Sequence, residues 1–143
     1  MNVGAILKFK GSEVISVEAE ETVAAAAQML TTRRIGALVV GNGDGDIVGM
    51  FSERDVVAGI AQRGAGVLAQ SVSELMTSKV VFCDPSDTIA DVMAKMTDRR
   101  IRHLPVVDGG QLLGVISIGD VVKQRIAETE HEAEALREYI STG

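Results

Sequence analysis

Two pairs of serine and aspartate, each spaced three residues apart, are the residues of this chain best suited to bind a ligand. Ser52 and Asp55 follow one apolar segment that starts with glycine, and Ser117 and Asp120 follow another. A hydroxyl at the start of a helix lies beside free backbone N–H groups, which together suit a phosphate. An ionised aspartate can accept both hydrogen bonds of a ribose diol. The two pairs therefore predict a ligand that carries sugar hydroxyls and phosphate.

The same spacing has a purely structural interpretation. In a capping box, the side chains at the helix N-cap and three residues later bind the backbone N–H groups of the helix itself. A single Ser-x-x-Asp favours that role. Its occurrence twice, each time after an apolar segment that begins with glycine, shifts the balance towards ligand binding, and both interpretations stay open.

The chain contains an internal repeat that places these pairs in register. Residues 22–41 align with residues 88–107 at an offset of 66, and after one residue is dropped in the second copy, residues 49–57 align with residues 114–122 at an offset of 65. The first block repeats eight residues identically: Thr22, Ala24, Thr31, Arg33, Arg34, Ile35, Leu38 and Val40. Repeats of this kind bury their apolar faces against each other.

Each copy predicts the same order of elements. A short apolar strand comes first, over residues 14–17 and 80–83. A helix follows, with Thr22 or Thr88 as its N-cap. Two strands joined by a tight turn rich in glycine and aspartate come next, and a second helix begins after them.

These elements predict an α/β (α+β) fold built from two pseudo-symmetric repeats. Each repeat is a small sheet packed on two helices, and a C-terminal helix extends beyond the second. The predicted ranges are residues 1–66 for the first repeat, 67–126 for the second and 127–143 for the helical extension. Because each copy is small for an independent domain, we expect the two to share one core.

The second copy resembles a CBS motif, named after cystathionine β-synthase. The resemblance is carried by RIRHLPVVDGGQLLGVISIGDVV, which ends in the Gly-x-x-Ser-x-x-Asp pattern. The first copy departs modestly, with Val39 where the family often has proline and with one extra residue in its turn. The paired arrangement resembles a Bateman module, which is a tandem CBS pair, and the whole chain resembles a stand-alone CBS-domain protein of the bacterial type.

The resemblance implies a role for each motif residue. Asp55 and Asp120 would each hold a ribose, and Ser52 and Ser117 would lie near phosphate. Adenine would pack against residues of the opposite copy. For the Asp120 site these are Ile15, Ser16, Gly36 and Ala37, and for the Asp55 site they are Thr77, Val81, Phe82 and Ile101.

The resemblance also points to cations for the phosphates. Arg102 and His103 match positions that often hold phosphate in the family, whereas the first copy has Gly36 and Ala37 there, so the phosphate contacts should be unequal. Arg54 is a further candidate. His103 has a second interpretation as an ordinary half-buried histidine. Four arginines are interpreted as cations at solvated helix C-termini: Arg33, Arg34, Arg99 and Arg100.

Composition argues against several classes of function. The formal net charge of −6 disfavours broad binding to nucleic acid or to an anionic membrane. No signal peptide or membrane-length apolar segment stands out, so the expected location is cytoplasmic. Cys83 is the only cysteine and is expected to be buried and structural. The acidic run at residues 42–46 is typical of a hairpin turn rather than of a calcium loop.

No constellation for catalysis and no metal-ligand spacing stands out, so the chain is expected not to be an enzyme and to require no cofactor. The C-terminal helix carries apolar residues at alternating steps of four and three, which is typical of a helix–helix seam. We expect a homodimer through helices, with folding of this helix back onto its own module as the alternative. The seam residues are Val122, Ile126, Thr129, Ala133, Leu136 and Ile140.

Together these observations predict a sensor that binds AMP, ADP, ATP or NAD(H) and signals to a downstream partner protein. Two alternatives stay open. The chain could be a structural or protein-interaction module without a ligand, in which the Ser-x-x-Asp pairs are only caps. It could also sense S-adenosylmethionine, which shares the adenosine but lacks phosphate.

Overall fold

The computed structural model of the chain describes residues 1–11 and 13–142, which divide into two compact units. The first-repeat unit is Glu13–Val81, and the second-repeat unit combines the described residues before position 12 with those from Phe82 onward. In chain order the elements are α1 (Val3–Lys10), β1 (Ser16–Glu18), α2 (Val23–Arg33), β2 (Ala37–Gly41), β3 (Ile47–Ser52), α3 (Glu53–Arg63), α4 (Ile89–Arg99), β4 (His103–Asp108), β5 (Gln111–Ser117) and α5 (Ile118–Thr142). Two short 3-10 helices, Ala65–Ala69 and Val72–Glu74, follow α3.

The first-repeat unit is a three-stranded sheet with two helices. Strand β2 lies in the middle, parallel to β1 and antiparallel to β3. Alternate residues of the strands point inward, so Leu38, Val40 and Phe51 are fully buried against α2. Burial of such aliphatic and aromatic side chains provides most of the stabilisation of a small unit.

Helices α2 and α4 begin and end in the same way, as the repeat predicts. Thr22 and Thr88 are their N-caps, and each hydroxyl accepts the backbone N–H three residues later, at 3.1 Å in both helices. Both helices end at an arginine in the left-handed conformation, Arg34 at φ 55° and Arg100 at φ 54°. The N–H groups of these arginines bond the last carbonyls of the helix, which terminates it.

The second-repeat unit pairs β4 with β5 in an antiparallel hairpin. The predicted strand over residues 80–83 is wrong, because only Cys83 reaches the sheet, through a single parallel bridge to Val106. The turn that begins at Asp84, where Ser86 donates to the Asp84 carboxylate, follows at once and ends the pairing. In the first-repeat unit the strand is present but lies slightly later than predicted, at Ser16–Glu18.

Helix α1 was not predicted from the sequence, and it belongs to the second-repeat unit. Its side chains Val3, Ile6 and Leu7 are buried. The backbone N–H of Val3 donates to the Asp87 carbonyl at 3.0 Å, and that of Gly4 donates to the Pro85 carbonyl at 2.8 Å. The predicted ranges assign residues 1–66 to the first repeat. In the structure, α1 belongs to the compact unit of the second repeat instead.

The predicted α/β class is confirmed, since the described residues form two small sheets and five α-helices. Helix α5 continues from the second repeat into the predicted extension without interruption as far as Thr142. Its apolar side chains on the predicted seam are exposed in this structure: Val122, Ile126, Leu136 and Ile140.

Candidate functional site

The Ser-x-x-Asp pair of each unit and the residues that start the neighbouring strand meet where the last strand runs into a helix. In the first-repeat unit the backbone N–H of Glu53 donates to the carbonyl of Gly36 at 3.1 Å. In the second-repeat unit the N–H of Ile118 donates to the carbonyl of Arg102 at 2.8 Å. These are equivalent positions of the repeat, so the two units build the same junction.

Strand register brings the neighbouring positions of this junction together as well. Ala37 pairs with Ser52 across β2 and β3, and His103 pairs with Ser117 across β4 and β5. In both units, the first residue of the strand that pairs with the last strand therefore lies beside the serine at the start of the following helix. The first-repeat unit has small side chains there, and the second-repeat unit has basic ones.

Asp55 is a half-buried carboxylate in the first turn of α3. Its Oδ2 accepts the backbone N–H of Ser52 at 2.8 Å and the Ser52 hydroxyl at 3.2 Å. Its Oδ1 lies 3.5 Å from the Thr77 hydroxyl. Burial raises the pKa of Asp55 above its ordinary value, because the opposing hydrogen bonds from Ser52 and Thr77 do not compensate for the lost hydration.

Asp120 occupies the matching position in α5, and its partners differ. Its Oδ2 accepts the Ser117 backbone N–H at 2.9 Å, and its own N–H donates to the Ser117 hydroxyl at 3.2 Å. The ammonium of Lys10 lies 2.6 Å from the same Oδ2. Burial raises the pKa of Asp120, but the hydrogen bonds from Lys10 and Ser117 and the Lys10 charge outweigh it, so the pKa lies below its ordinary value.

The glycine of the motif lets a further segment approach each carboxylate. A Cβ at Gly49 would lie 2.6 Å from the Met76 sulfur and 2.9 Å from the Thr77 carbonyl oxygen. A Cβ at Gly114 would lie 2.8 Å from a methyl group of Leu7. Glycine at these positions therefore allows the Thr77 segment to reach Asp55 and allows α1 to reach Asp120.

The remaining predicted residues lie at several places within the two units. Ile15 precedes β1, where its carbonyl accepts the Val39 N–H at 3.2 Å, and Ser16 begins that strand. The Phe82 carbonyl accepts the Lys95 ammonium at 3.0 Å. Val81 and Ile101 are half-buried, Arg54 and Arg102 are exposed, and His103 is half-buried. The ligand contacts of all these residues remain predictions.

Lys10 is the site residue that the sequence reasoning missed. It lies outside the recognisable repeat, and at the offset of 66 its counterpart is Met76, which gives no hint of a basic residue. It is the last residue of α1, and it meets Asp120 across a separation of 110 residues. A terminal Lys-Gly, which is typical of a helix end, was the only signal available.

Three further features of the described residues concern metal binding, membrane insertion and the reactivity of a thiol. Residues 1–11 and 13–142 contain no group of three or more His, Cys, Asp and Glu side chains that could hold a metal ion. Within the same ranges, no helix is long and apolar enough to cross a membrane. Cys83 is buried as predicted, and burial together with the nearby charge of Asp87 raises the pKa of its thiol to about 11.

One protein family matches this chain. The CBS-domain family matches twice, at residues 8–62 and at residues 72–126. Each match contains one Ser-x-x-Asp pair and its strand-to-helix junction. The two matches cover the internal repeat that the sequence shows.

Curated relatives include proteins of plants and bacteria. The mitochondrial CBS domain-containing protein CBSX3 of Arabidopsis thaliana is 34% identical over 128 residues, which make up 87% of this chain and 62% of the relative. The CBS domain-containing protein YhcV of Bacillus subtilis is 28% identical over 116 residues, 81% of each chain. The chain spans less than two thirds of the plant protein's length and 31% of a related Thermofilum pendens protein.

Solved structures show the same fold. The CBS-domain protein ATU1752 of Agrobacterium tumefaciens is 45% identical with a TM-score of 0.86, covering 87% of this chain and 99% of that one. The CBS domain pair of protein MJ0100, solved in complex with 5′-methylthioadenosine and S-adenosylmethionine, is 22% identical with a TM-score of 0.79. The match covers 90% of this chain and 98% of the MJ0100 chain. At 22% identity it shows the fold alone.

Proposed function

This chain belongs to the CBS-domain family, and we propose that it is a regulatory CBS pair that binds an adenosine-containing ligand through Asp55 and Asp120. The observation that supports this most is the duplicated junction. Each unit places a half-buried carboxylate in the first turn of a helix, directly after a sheet strand and beside a serine N-cap. Two such positions in one chain suit a ligand that carries a sugar diol.

The capping interpretation accounts for only part of what each carboxylate can do. Asp55 and Asp120 both accept the N–H of their serine, as in a capping box. An ionised carboxylate has about four acceptor positions, and the backbone N–H of the serine takes one of them. The other donors are side chains that can move: the Ser52 and Thr77 hydroxyls at Asp55 and the Lys10 ammonium at Asp120. The remaining positions can accept the two hydroxyl groups of a ribose.

Basic residues near the second-repeat junction support a phosphorylated ligand. His103 lies opposite Ser117 in the pairing of β4 with β5, and Arg102 precedes it. The positive end of the α5 helix dipole at this junction also favours an anion. We therefore propose AMP, ADP, ATP or NAD(H) as the ligand class. Arg54 is the candidate cation of the first-repeat unit, where Gly36 and Ala37 provide none, so phosphate should be held more weakly there.

A second candidate is an adenosine compound without phosphate. The CBS pair of MJ0100 was solved with two such compounds, 5′-methylthioadenosine and S-adenosylmethionine, and they share the ribose that Asp120 would hold. The basic residues of the second-repeat unit weigh against them here. Binding measurements with both ligand classes separate the two candidates.

The proposed mechanism is linkage between ligand binding and conformation or assembly. A ligand that binds one arrangement more tightly shifts the population towards it, and a downstream protein can respond to that change. In this proposal the chain acts as a regulator that catalyses no reaction and requires no cofactor. Its cytoplasmic location stays a prediction.

A homodimer is the assembly that α5 supports. Its seam residues Ile126, Leu136 and Ile140 are exposed on one side of the helix, and such a side is stabilised when a second helix covers it. Replacing Ile126 and Leu136 by glutamate should yield a monomer in light scattering, whereas Lys123→Glu on the same helix should not. A chain that is monomeric without any substitution would contradict the dimer.

Thermal unfolding in the presence of ligands tests the proposed function. The panel consists of AMP, ADP, ATP, NAD⁺, NADH and S-adenosylmethionine at millimolar concentration. A ligand at 100 times its dissociation constant stabilises the folded state by about 2.7 kcal/mol, which raises the melting temperature by several degrees in a chain of this size. We expect one or more nucleotides to do this, and Asp120→Ala to reduce the effect.

The outcomes separate the candidates. Stabilisation by S-adenosylmethionine but not by nucleotides would favour the second ligand class. If no compound stabilises the chain, and if no nucleotide accompanies the purified protein, a ligand-free interaction module would be favoured. Substitution of Asp55 or Asp120 would then lower stability to the same extent with and without the compounds.

A further inference from the structure

We propose that the ion pair between Lys10 and Asp120 is released when ligand binds, so that occupancy of the second-repeat site controls the end of helix α1. This inference rests on the proposed function, because it assumes that a ribose binds Asp120. It adds a regulatory contact made by a residue outside the motif. The experiment below separates failure of the contact from failure of the site.

Lys10 is held by two acceptors at the site. Its ammonium donates to Asp120 Oδ2 at 2.6 Å and to the Val115 carbonyl at 2.7 Å. The Lys10 side chain is 35% exposed and the Asp120 side chain 23% exposed. The contact is therefore open enough for a ligand to reach and sheltered enough for the charges to interact.

The ammonium of Lys10 and a ribose diol compete for the same oxygen. Asp120 Oδ2 already accepts the Ser117 N–H and the Lys10 ammonium. A diol that donates to both carboxylate oxygens must take the position of one of these donors. The Ser117 N–H is fixed by the backbone, so the flexible lysine side chain is the donor that leaves.

Release affects only the last turn of α1, because the rest of the helix is anchored. Leu7 is buried against Gly114, and the N–H groups of Val3 and Gly4 bond the backbone of the second repeat. Gly11 follows α1 at φ 92°, a conformation that suits a helix end but not its continuation. Ligand binding at Asp120 thus removes the contact that holds the end of α1 at Lys10.

The first-repeat unit does not have this contact. There the group beside the carboxylate is the neutral hydroxyl of Thr77, at 3.5 Å from Asp55 Oδ1. A neutral hydroxyl can move to accommodate a ribose without breaking an ion pair. Of the two carboxylates, therefore, only Asp120 requires the ribose to compete with a cation.

The test measures the binding of adenosine, which has the ribose but no charge, by calorimetry. An Asp55→Ala background leaves one site, and Lys10→Met is compared with Lys8→Met, an exposed lysine on the same helix. Lys10→Met should tighten adenosine binding about three- to fivefold. This change corresponds to the upper part of the range of interaction energies measured for solvent-accessible ion pairs. Lys8→Met should leave it unchanged. Raising the salt concentration should tighten binding to the Lys10 form and not to Lys10→Met, because salt screens the ion pair.

Each result has a clear meaning. Equal or weaker adenosine binding by Lys10→Met, with binding still lost in Asp120→Ala, overturns the released contact and leaves the proposed site standing. If the Asp55→Ala chain with Lys10 and Asp120 intact binds neither adenosine nor AMP, both proposals fail. If Lys10→Met does not fold, the salt series on the chain with Lys10 decides, and binding that weakens or stays constant with added salt overturns the inference.

Discussion

The hydroxyl of Thr77 lies 3.5 Å from Asp55 Oδ1, whereas in the second-repeat unit the Lys10 ammonium lies 2.6 Å from Asp120 Oδ2. One repeat has thus produced two carboxylates with the same backbone setting and different neighbours. The pKa of Asp55 is raised by burial, and that of Asp120 is lowered by Lys10 and Ser117 against the effect of burial. This difference leads to the first prediction.

Asp55→Asn and Asp120→Asn should respond to pH in opposite ways. A lowered folded-state pKa means that Asp120 stabilises the fold above its unfolded pKa of about 3.9 and loses this contribution as pH falls through the folded value. A raised pKa means that Asp55 contributes stability only when protonated, and loses that contribution as pH rises through the folded value.

Asp120→Asn should therefore lower the melting temperature at pH 7, and this loss should become smaller as the pH falls below about 3.9. Asp55→Asn should leave it unchanged or raise it at pH 7. Circular dichroism melts of both variants from pH 3 to pH 7 measure this directly. Equal losses for the two variants at pH 7 would contradict the assignment of the charges.

Much of this architecture could be predicted, because short sequence patterns that recur in both copies determine where the helices begin and end. Thr22 and Thr88 cap their helices as expected, and the shared left-handed ends at Arg34 and Arg100 follow the same register. The strand over residues 80–83 could not be judged from its apolar residues, because the turn at Asp84 limits it to one bridge.

The approach of Lys10 to Asp120 could not be predicted either. It depends on where α1 docks, which is set by long-range contacts such as that of Leu7 with Gly114 and the hydrogen bonds of Val3 and Gly4 to the second repeat, and not by any local pattern. The Ser-x-x-Asp pairs were found from spacing alone, because a carboxylate three residues after an N-cap necessarily lies in the first helical turn.

Gly49→Ala should destabilise the chain more than Gly114→Ala. The added methyl group at position 49 would meet the Thr77 backbone oxygen at 2.9 Å, whereas at position 114 it would meet the end of the flexible Leu7 side chain. We expect a loss of about 1–3 kcal/mol for Gly49→Ala and a smaller loss for Gly114→Ala in urea titrations. Gly66→Ala is the control, since nothing lies within 4 Å of its Cβ position. The reverse order of the two losses would contradict the packing.

The Cys83 thiol should react slowly in the folded chain. It is buried, and its pKa of about 11 leaves little of the reactive thiolate at pH 8. A colorimetric thiol reagent should modify it far faster in denaturant than in buffer. Comparable rates in the two conditions would show that Cys83 is accessible.

Arg102→Ala should separate ribose binding from phosphate binding. If Arg102 contacts phosphate, its loss weakens AMP binding about tenfold or more, as expected when a charged hydrogen bond is removed, and leaves adenosine binding unchanged. Arg99→Ala at the end of α4 should affect neither, because that arginine is assigned to a solvated helix end. If Arg102→Ala and Arg99→Ala weakened AMP binding equally, the effect would come from the net charge of the chain and not from a contact with phosphate.

Calorimetric titration of AMP into the unsubstituted chain and into the Asp55→Ala, Asp120→Ala double variant tests the central claim most directly. The account predicts saturable binding to the first protein and none to the second, with the variant still folded by circular dichroism. Binding of equal affinity to both proteins would show that these carboxylates do not form the site. A flat titration of the unsubstituted chain that carries no bound nucleotide would contradict AMP as its ligand.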